Sequence, residues 1–180
     1  ATVLGGGRTS RLYRDFVFDR QVATRAVTYV EEHQLASQFH IEVTLNPGED
    51  PDAASARIDE IVAELLAEGP TDDELAAART RINASTIRGL EQIGGFGGKA
   101  VTLAEGQLYA GDPAFWRTLL DRLNTASAEA ITATANAWLS TGYHEITVLP
   151  FGEFQSVATD ADRSALPSVT ETPELVWPAV

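Results

Sequence analysis

Residues Leu4–Val30, LGGGRTSRLYRDFVFDRQVATRAVTYV, decide the fold. Three consecutive glycines, Gly5, Gly6 and Gly7, leave the backbone free to take φ > 0 or to approach a neighbouring surface closely. A helix start follows at once: Thr9 or Ser10 can cap the first free N–H groups. Leu12, Tyr13, Phe16 and Val17 then fall on one face. Asp19-Arg20-Gln21 ends that helix, and Val22–Val30 turns β-branched and half alternating. The stretch reads as glycine-rich turn, short helix, strand. A glycine turn before a helix can cradle an anion, but GGGRTS matches neither G-x-G-x-x-G nor G-x-x-x-x-G-K-[ST]. The plainer reading is a turn that lets a helix pack closely.

Outward from there, Ala36–Leu45 reads as the partner strand. Phe39, Ile41, Val43 and Leu45 alternate with His40, Glu42 and Thr44. The short polar segment Glu31-Glu32-His33-Gln34 makes the pair a hairpin, and Asn46-Pro47-Gly48 ends it. A helix is predicted from Asp52 to Ala67, with Ile58, Ile61, Val62, Leu65 and Leu66 as its apolar stripe. Gly69 closes it and Pro70 forbids continuation. Thr71-Asp72-Asp73-Glu74 is a capping box that opens a long helix to Leu90 or beyond.

The cluster IGGFGGK, Ile93–Lys99, reads as a break between packed helices or, alternatively, as a hinge or flexible binding loop. Helical patterns resume over Ala100–Tyr109. Another helix follows Asp112-Pro113, with Phe115, Trp116, Leu119, Leu120 and Leu123 expected inward. A further one runs from Ser127 to about Leu139. His144–Leu149, HEITVL, reads as a last strand, stopped by Pro150. Residues 151–180 hold Pro167, Pro173 and Pro178 without periodic pattern and read as an extended linker or tail. The expected architecture is therefore α+β: an antiparallel sheet with several helices packed on one face, over residues 1–150.

Length and composition narrow the function. A chain of 180 residues with 44% hydrophobic side chains is one domain with a sizeable core. The net charge of -13, from 13 basic against 26 acidic residues, argues against nucleic acid and anionic membrane surfaces as partners. Without Cys, neither a disulfide framework nor a thiolate metal site can form. Met is also absent, even at the first position, so the sequence reads as a fragment that begins partway into a domain.

The glycine run, the quartet Ser10-Arg11-Leu12-Tyr13 and the pair Val22-Ala23, followed by FHIEVTLNPGED (Phe39–Asp50) and EIVAELLAEGPTDDELAAART (Glu60–Thr80), resemble the insulinase/pitrilysin-type zinc metallopeptidases, a group that includes the mitochondrial processing peptidases. The resemblance covers roughly residues 1–150 and places the chain as the second, non-zinc-binding domain of a half-molecule. It implies a preceding zinc-bearing domain, a second peptidase half in the same chain or as a separate subunit, a peptide substrate, and a periplasmic or secreted bacterial parent. It implies no cofactor in this chain. Residues 151–180 would then lead towards a second half.

The residues agree that the cutting chemistry lies elsewhere. The family's H-x-x-E-H zinc motif is absent: His33, His40 and His144 fit neither it nor H-E-x-x-H. His33 and His40, with Glu31, Glu32 and Glu42 close in sequence, leave a surface metal site conceivable beside the ordinary reading of polar strand residues. Full enzymes often carry, in a domain of this type, an Arg and a Tyr seven residues apart. Aligned from the quartet, Val17 and Thr24 stand there, and neither can hold an oxyanion. The glycine run aligns with a loop implicated in substrate recognition in non-catalytic processing-peptidase subunits, which makes Gly5, Gly6 and Gly7 the candidate substrate-binding residues. Two alternatives remain: a scaffold or assembly protein of the same fold without protease activity, and a stand-alone acidic peptide-binding module.

Overall fold

The structure, a computed structural model, describes residues 1–32 and 35–150. A one-turn helix α1 (Thr2–Gly5) leads through the glycines into a π-helical turn, Tyr13–Asp19. Two antiparallel strands follow, β1 (Ala23–Glu32) and β2 (Ser37–Leu45). The helices α2 (Pro51–Glu68), α3 (Asp72–Glu91), α4 (Lys99–Ala110), α5 (Phe115–Thr125) and α6 (Ala128–Leu139) complete the order.

The hairpin register pairs Val30 with Phe39, Thr28 with Ile41 and Ala26 with Val43. An irregularity between Ala23 and Arg25 inserts Thr24 as an extra residue. The alternation expected of β2 is present: Phe39, Ile41, Val43 and Leu45 face the core. That core joins Leu4, Leu12 and Phe16 to Ala23 and Ala26 of β1 and to Ile61 and Leu65 of α2. Leu12 is 0% and Phe16 1% exposed. Burying side chains of this size contributes roughly 1.5–3 kcal/mol each. The stretch around the glycine run and the first stripe of α2 thus cover one sheet face together.

Local chemistry sets the helix ends. Asp50 caps α2 by accepting from the Asp52 N–H at 3.0 Å, with Pro51 in the first turn. Gly69 ends α2 at φ 75, a left-handed conformation that suits glycine. The capping box is complete: the Glu74 N–H donates to Thr71 Oγ1 at 3.2 Å, and the Thr71 N–H donates to Glu74 Oε2 at 2.8 Å. Ser127 caps α6 through the Ala130 N–H. The Ile93–Lys99 cluster is a break between α3 and α4, in which the Lys99 N–H reaches back to the Gln92 carbonyl at 2.7 Å.

Three expectations are corrected. His144–Leu149 forms no strand. Among the described residues the sheet has two strands, and alternation alone cannot make a third without a neighbour to share its hydrogen bonds. Val148 is 88% exposed. Leu119 is not buried but 50% exposed, because the space it faces between α3, α4 and α5 is an open groove. Neither Thr9 nor Ser10 caps the first helix. Ser10 instead donates its hydroxyl to the Gly7 carbonyl at 2.5 Å, and the segment relaxes into a wider π turn. Gly5, Gly6 and Gly7 do not take φ > 0, which accords with the plainer reading of close packing; among the described non-glycine residues only Gln21 does, at φ 56. The first compact unit spans Ala1–Glu145 and a second begins at Ile146. His33 and the tail assigned to 151–180 lie outside the described residues.

Candidate functional site

The candidate site is the loop at Gly5–Gly7. It is held from both sides. The Gly5 N–H donates to the Ala1 carbonyl at 3.0 Å and the Gly6 N–H to the Thr2 carbonyl at 2.9 Å. The Gly7 carbonyl accepts from both the N–H and the hydroxyl of Ser10. Thr28 of β1 donates its hydroxyl to the Ala1 carbonyl at 2.5 Å, tying the loop to the sheet.

The three glycines have different neighbours. A Cβ at Gly5 would lie 2.3 Å from the Thr28 backbone nitrogen, so Gly5 is buried and its role is close approach of backbone to backbone. A Cβ at Gly6 would meet the backbone of Thr2 at 2.6 Å. At Gly7 it would meet a side chain, the Arg81 guanidinium of α3, whose Nη1 is 2.5 Å away. Gly6 and Gly7 are half-buried, and Arg8 and Arg81 beside them are exposed. The accessible surface of this loop thus consists of Gly6, Gly7 and the two arginines, with Gly5 beneath.

The quartet that carries the family resemblance has a structural role. Arg11 donates through Nε to Glu74 Oε1 at 2.7 Å and through Nη2 to Glu74 Oε2 and the Gly69 carbonyl, each at 2.9 Å. One guanidinium thus grips the capping box of α3 and the end of α2. The hydrogen bond from Arg11, ahead of the opposing effect of burial, holds the Glu74 carboxyl below its usual range, and the same bond raises Arg11. Leu12 fills the core. Asp15 accepts from Arg57 at 3.0 Å and 2.7 Å, binding the π turn to α2. Arg20 Nε stands 3.1 Å from the other Asp15 oxygen, an ion pair whose angles fall short of a hydrogen bond.

Of the pair behind the metal alternative, His33 lies outside the described residues and only His40 can be placed. The His40 ring stacks on Tyr29 with centroids 4.8 Å apart, and its Nε2 is 3.2 Å from Glu31 Oε2. His144 is exposed. Among the described residues no group of three His, Cys, Asp or Glu could hold a metal ion. Val17 packs against the core, and Thr24 at the bulge donates to the Thr44 carbonyl at 3.3 Å, so neither approaches an open site as a charged group would.

Two features escaped the sequence reading. An open cavity of about 510 Å³ lies between α3, α4 and α5, lined by Ile82, Leu90, Trp116, Leu119, Leu120 and Leu123. Arg81, at the glycine loop, was readable only as one more helix-surface charge. The signal that could have found it is the absence of acids around it.

Residues 1–82 match the family model of the peptidase M16 inactive domain. The match covers the N-terminal part of the chain, where the quartet and the hairpin lie. The chain shares its fold with a protease from Helicobacter pylori, at 21% identity and a TM-score of 0.66, over 77% of this chain and 32% of that one. It is similar also to the inactive peptidase domain of a proposed zinc protease from Bordetella parapertussis, at 22% identity and a TM-score of 0.65, covering 85% and 82% of the two chains. The periplasmic protease PqqL from Escherichia coli matches at 18% identity and a TM-score of 0.54, over 71% of this chain and 14% of that one. The chain thus spans about a third of the length of the Helicobacter protease. No curated protein matches it in sequence. No helix among the described residues is long and apolar enough to cross a membrane.

Proposed function

We propose that this chain is the non-metal-binding domain of an M16-type zinc metallopeptidase, inert by itself, and that it forms part of the wall of a peptide-binding chamber. The observation that carries this reading is the match of residues 1–82 to the inactive domain. No group of three metal-ligating side chains lies among the described residues, so no step of the reaction is assigned to them. Zinc and its activating Glu belong to a preceding domain, and a second peptidase half closes the chamber. Residues 1–150 are the domain and 151–180 the connector towards that half. Gly6 and Gly7, over the buried Gly5, contact the peptide. A periplasmic setting follows the likeness to PqqL.

Reconstitution tests the reading. A zinc-bearing partner domain, supplied as the adjoining segment of the parent, is incubated with a peptide mixture with and without this chain. Cleavage should rise at least tenfold when the chain is added. An adjoining segment without H-x-x-E-H, together with no cleavage in either arm, overturns the protease reading in favour of a scaffold of the same fold.

A further inference from the structure

The charge of this chain is unevenly placed. Its first 14 residues contain Arg8, Arg11 and Arg14 and no acid, and Leu75–Leu90 of α3 contains Arg79, Arg81 and Arg88 and no acid. Those two segments hold six of the 13 basic residues of a molecule with net charge -13. The fold brings them together, because the Arg81 guanidinium lies over Gly7, next to Arg8. Three of the six are committed elsewhere. Arg11 is held by Glu74, Arg14 stands 3.7 Å from Asp19, and Arg79 donates to the Ala126 carbonyl at 2.6 Å. Arg8 and Arg81 have no hydrogen bond or ion pair among the described residues, and both are exposed at the loop.

The Arg81 guanidinium lies with Nη1 nearest the bare Gly7 backbone and remains exposed to solvent, and no side chain at position 7 stands in the way of a ligand. Arginine offers a planar fork that matches a carboxylate in bidentate fashion. We propose that Gly6, Gly7, Arg8 and Arg81 form a binding site for a peptide carboxylate, from an Asp or Glu side chain or from the C-terminus. The proposal rests on the assignment of the glycine loop to peptide contact, and it specifies what that loop selects. It also runs against the molecule's overall field. A net charge of -13 attracts cationic peptides and repels anionic ones, so preference for an acidic peptide can arise only from a local cationic site.

The test uses the full 180-residue chain and four fluorescent octapeptides at low salt. One carries two Glu and an amidated C-terminus. The second replaces them by Gln and keeps the amide. The third has Gln and a free C-terminus, and the fourth has two Lys and an amide. Binding is read by anisotropy. The account expects the Glu peptide or the free-terminus peptide to bind at least tenfold tighter than the neutral amide, and the arm that binds identifies the carboxylate. Arg81→Gln and Arg8→Gln each weaken that binding at least fivefold, with unchanged circular dichroism. Arg117→Gln, which removes the same charge from α5, leaves it unaltered. Tighter binding of the Lys peptide, or equal binding by both arginine variants and wild type, overturns the carboxylate site. If Gly7→Ala, which meets only the movable Arg81 side chain, weakens binding with unchanged circular dichroism while Arg81→Gln does not, the loop contact stands and the carboxylate preference falls. Absence of binding by all four peptides overturns both.

Discussion

Gly5 lies against the backbone of Thr28, so closely that a Cβ on Gly5 would be 2.3 Å from the Thr28 nitrogen and 2.6 Å from the Val27 carbonyl carbon. Neither atom can rotate aside, since both belong to the central part of β1. Gly5→Ala is expected to destabilise the chain by about 1–3 kcal/mol, the usual cost of overpacking. Gly7→Ala meets only the Arg81 guanidinium, a flexible end that can swing away, and should stay within about 0.5 kcal/mol. Urea unfolding of the two variants checks the contrast.

Arg11 and Glu74 couple the N-terminal quartet to the α2–α3 turn, and the coupling has a pH signature. The Glu74 carboxyl is held low by Arg11 first. A depressed folded value means that its contribution is fully present above the unfolded carboxyl range, about 4.3. It is lost as pH falls through the folded value. Glu74→Gln should therefore flatten the loss of stability in acid, and Glu74→Ala should cost about 1.5–3 kcal/mol at neutral pH, as for a hydrogen bond to a charged group. Denaturant melts at a series of pH values give both numbers.

Asp15 and Arg57 form the corresponding link between the π turn and α2. The two side chains are 16% and 24% exposed, so the pair is partly shielded from water. Its hydrogen bonds with Asp15, then with Glu60, push Arg57 still further from losing its proton. A double-mutant cycle with Asp15→Asn and Arg57→Gln should return a coupling on the order of 1 kcal/mol. Additive single effects would place the pair among exposed ion pairs of negligible worth.

The groove between α3 and α5 separates surface from core. Leu119→Ser removes an apolar side chain already half in water and should change stability by less than about 0.5 kcal/mol. Phe16→Ala empties the centre of the core and should cost about 3–5 kcal/mol. Comparable losses in both would mean that α5 is packed far more tightly than its exposure indicates.

Much of this architecture was legible in advance because it is written in local chemistry. The capping box at Thr71–Glu74, the stop at Gly69-Pro70 and the alternation of Phe39 to Leu45 depend on neighbours a few residues away, and all three stand in the structure. The misreadings depend on distant partners. His144–Leu149 has the right alternation, but a strand also needs a free edge, which periodicity does not supply. Leu119 lies on the apolar side of α5, yet whether that side meets another helix is decided by how α3 and α4 are placed. At the glycine run, a tight turn and a close approach look alike in sequence, and only the position of Thr28 separates them. Arg81 could not be linked to Gly7 across more than seventy residues without the fold.

Turnover is the most direct test of the central claim that the cutting machinery lies outside this chain. The purified chain, supplied with zinc and incubated with a complex peptide mixture, is followed by mass spectrometry for new peptide termini. The account predicts none beyond those in a chelated control. New termini that vanish on chelation, persist through repurification and change when His40 or His144 is substituted would contradict it.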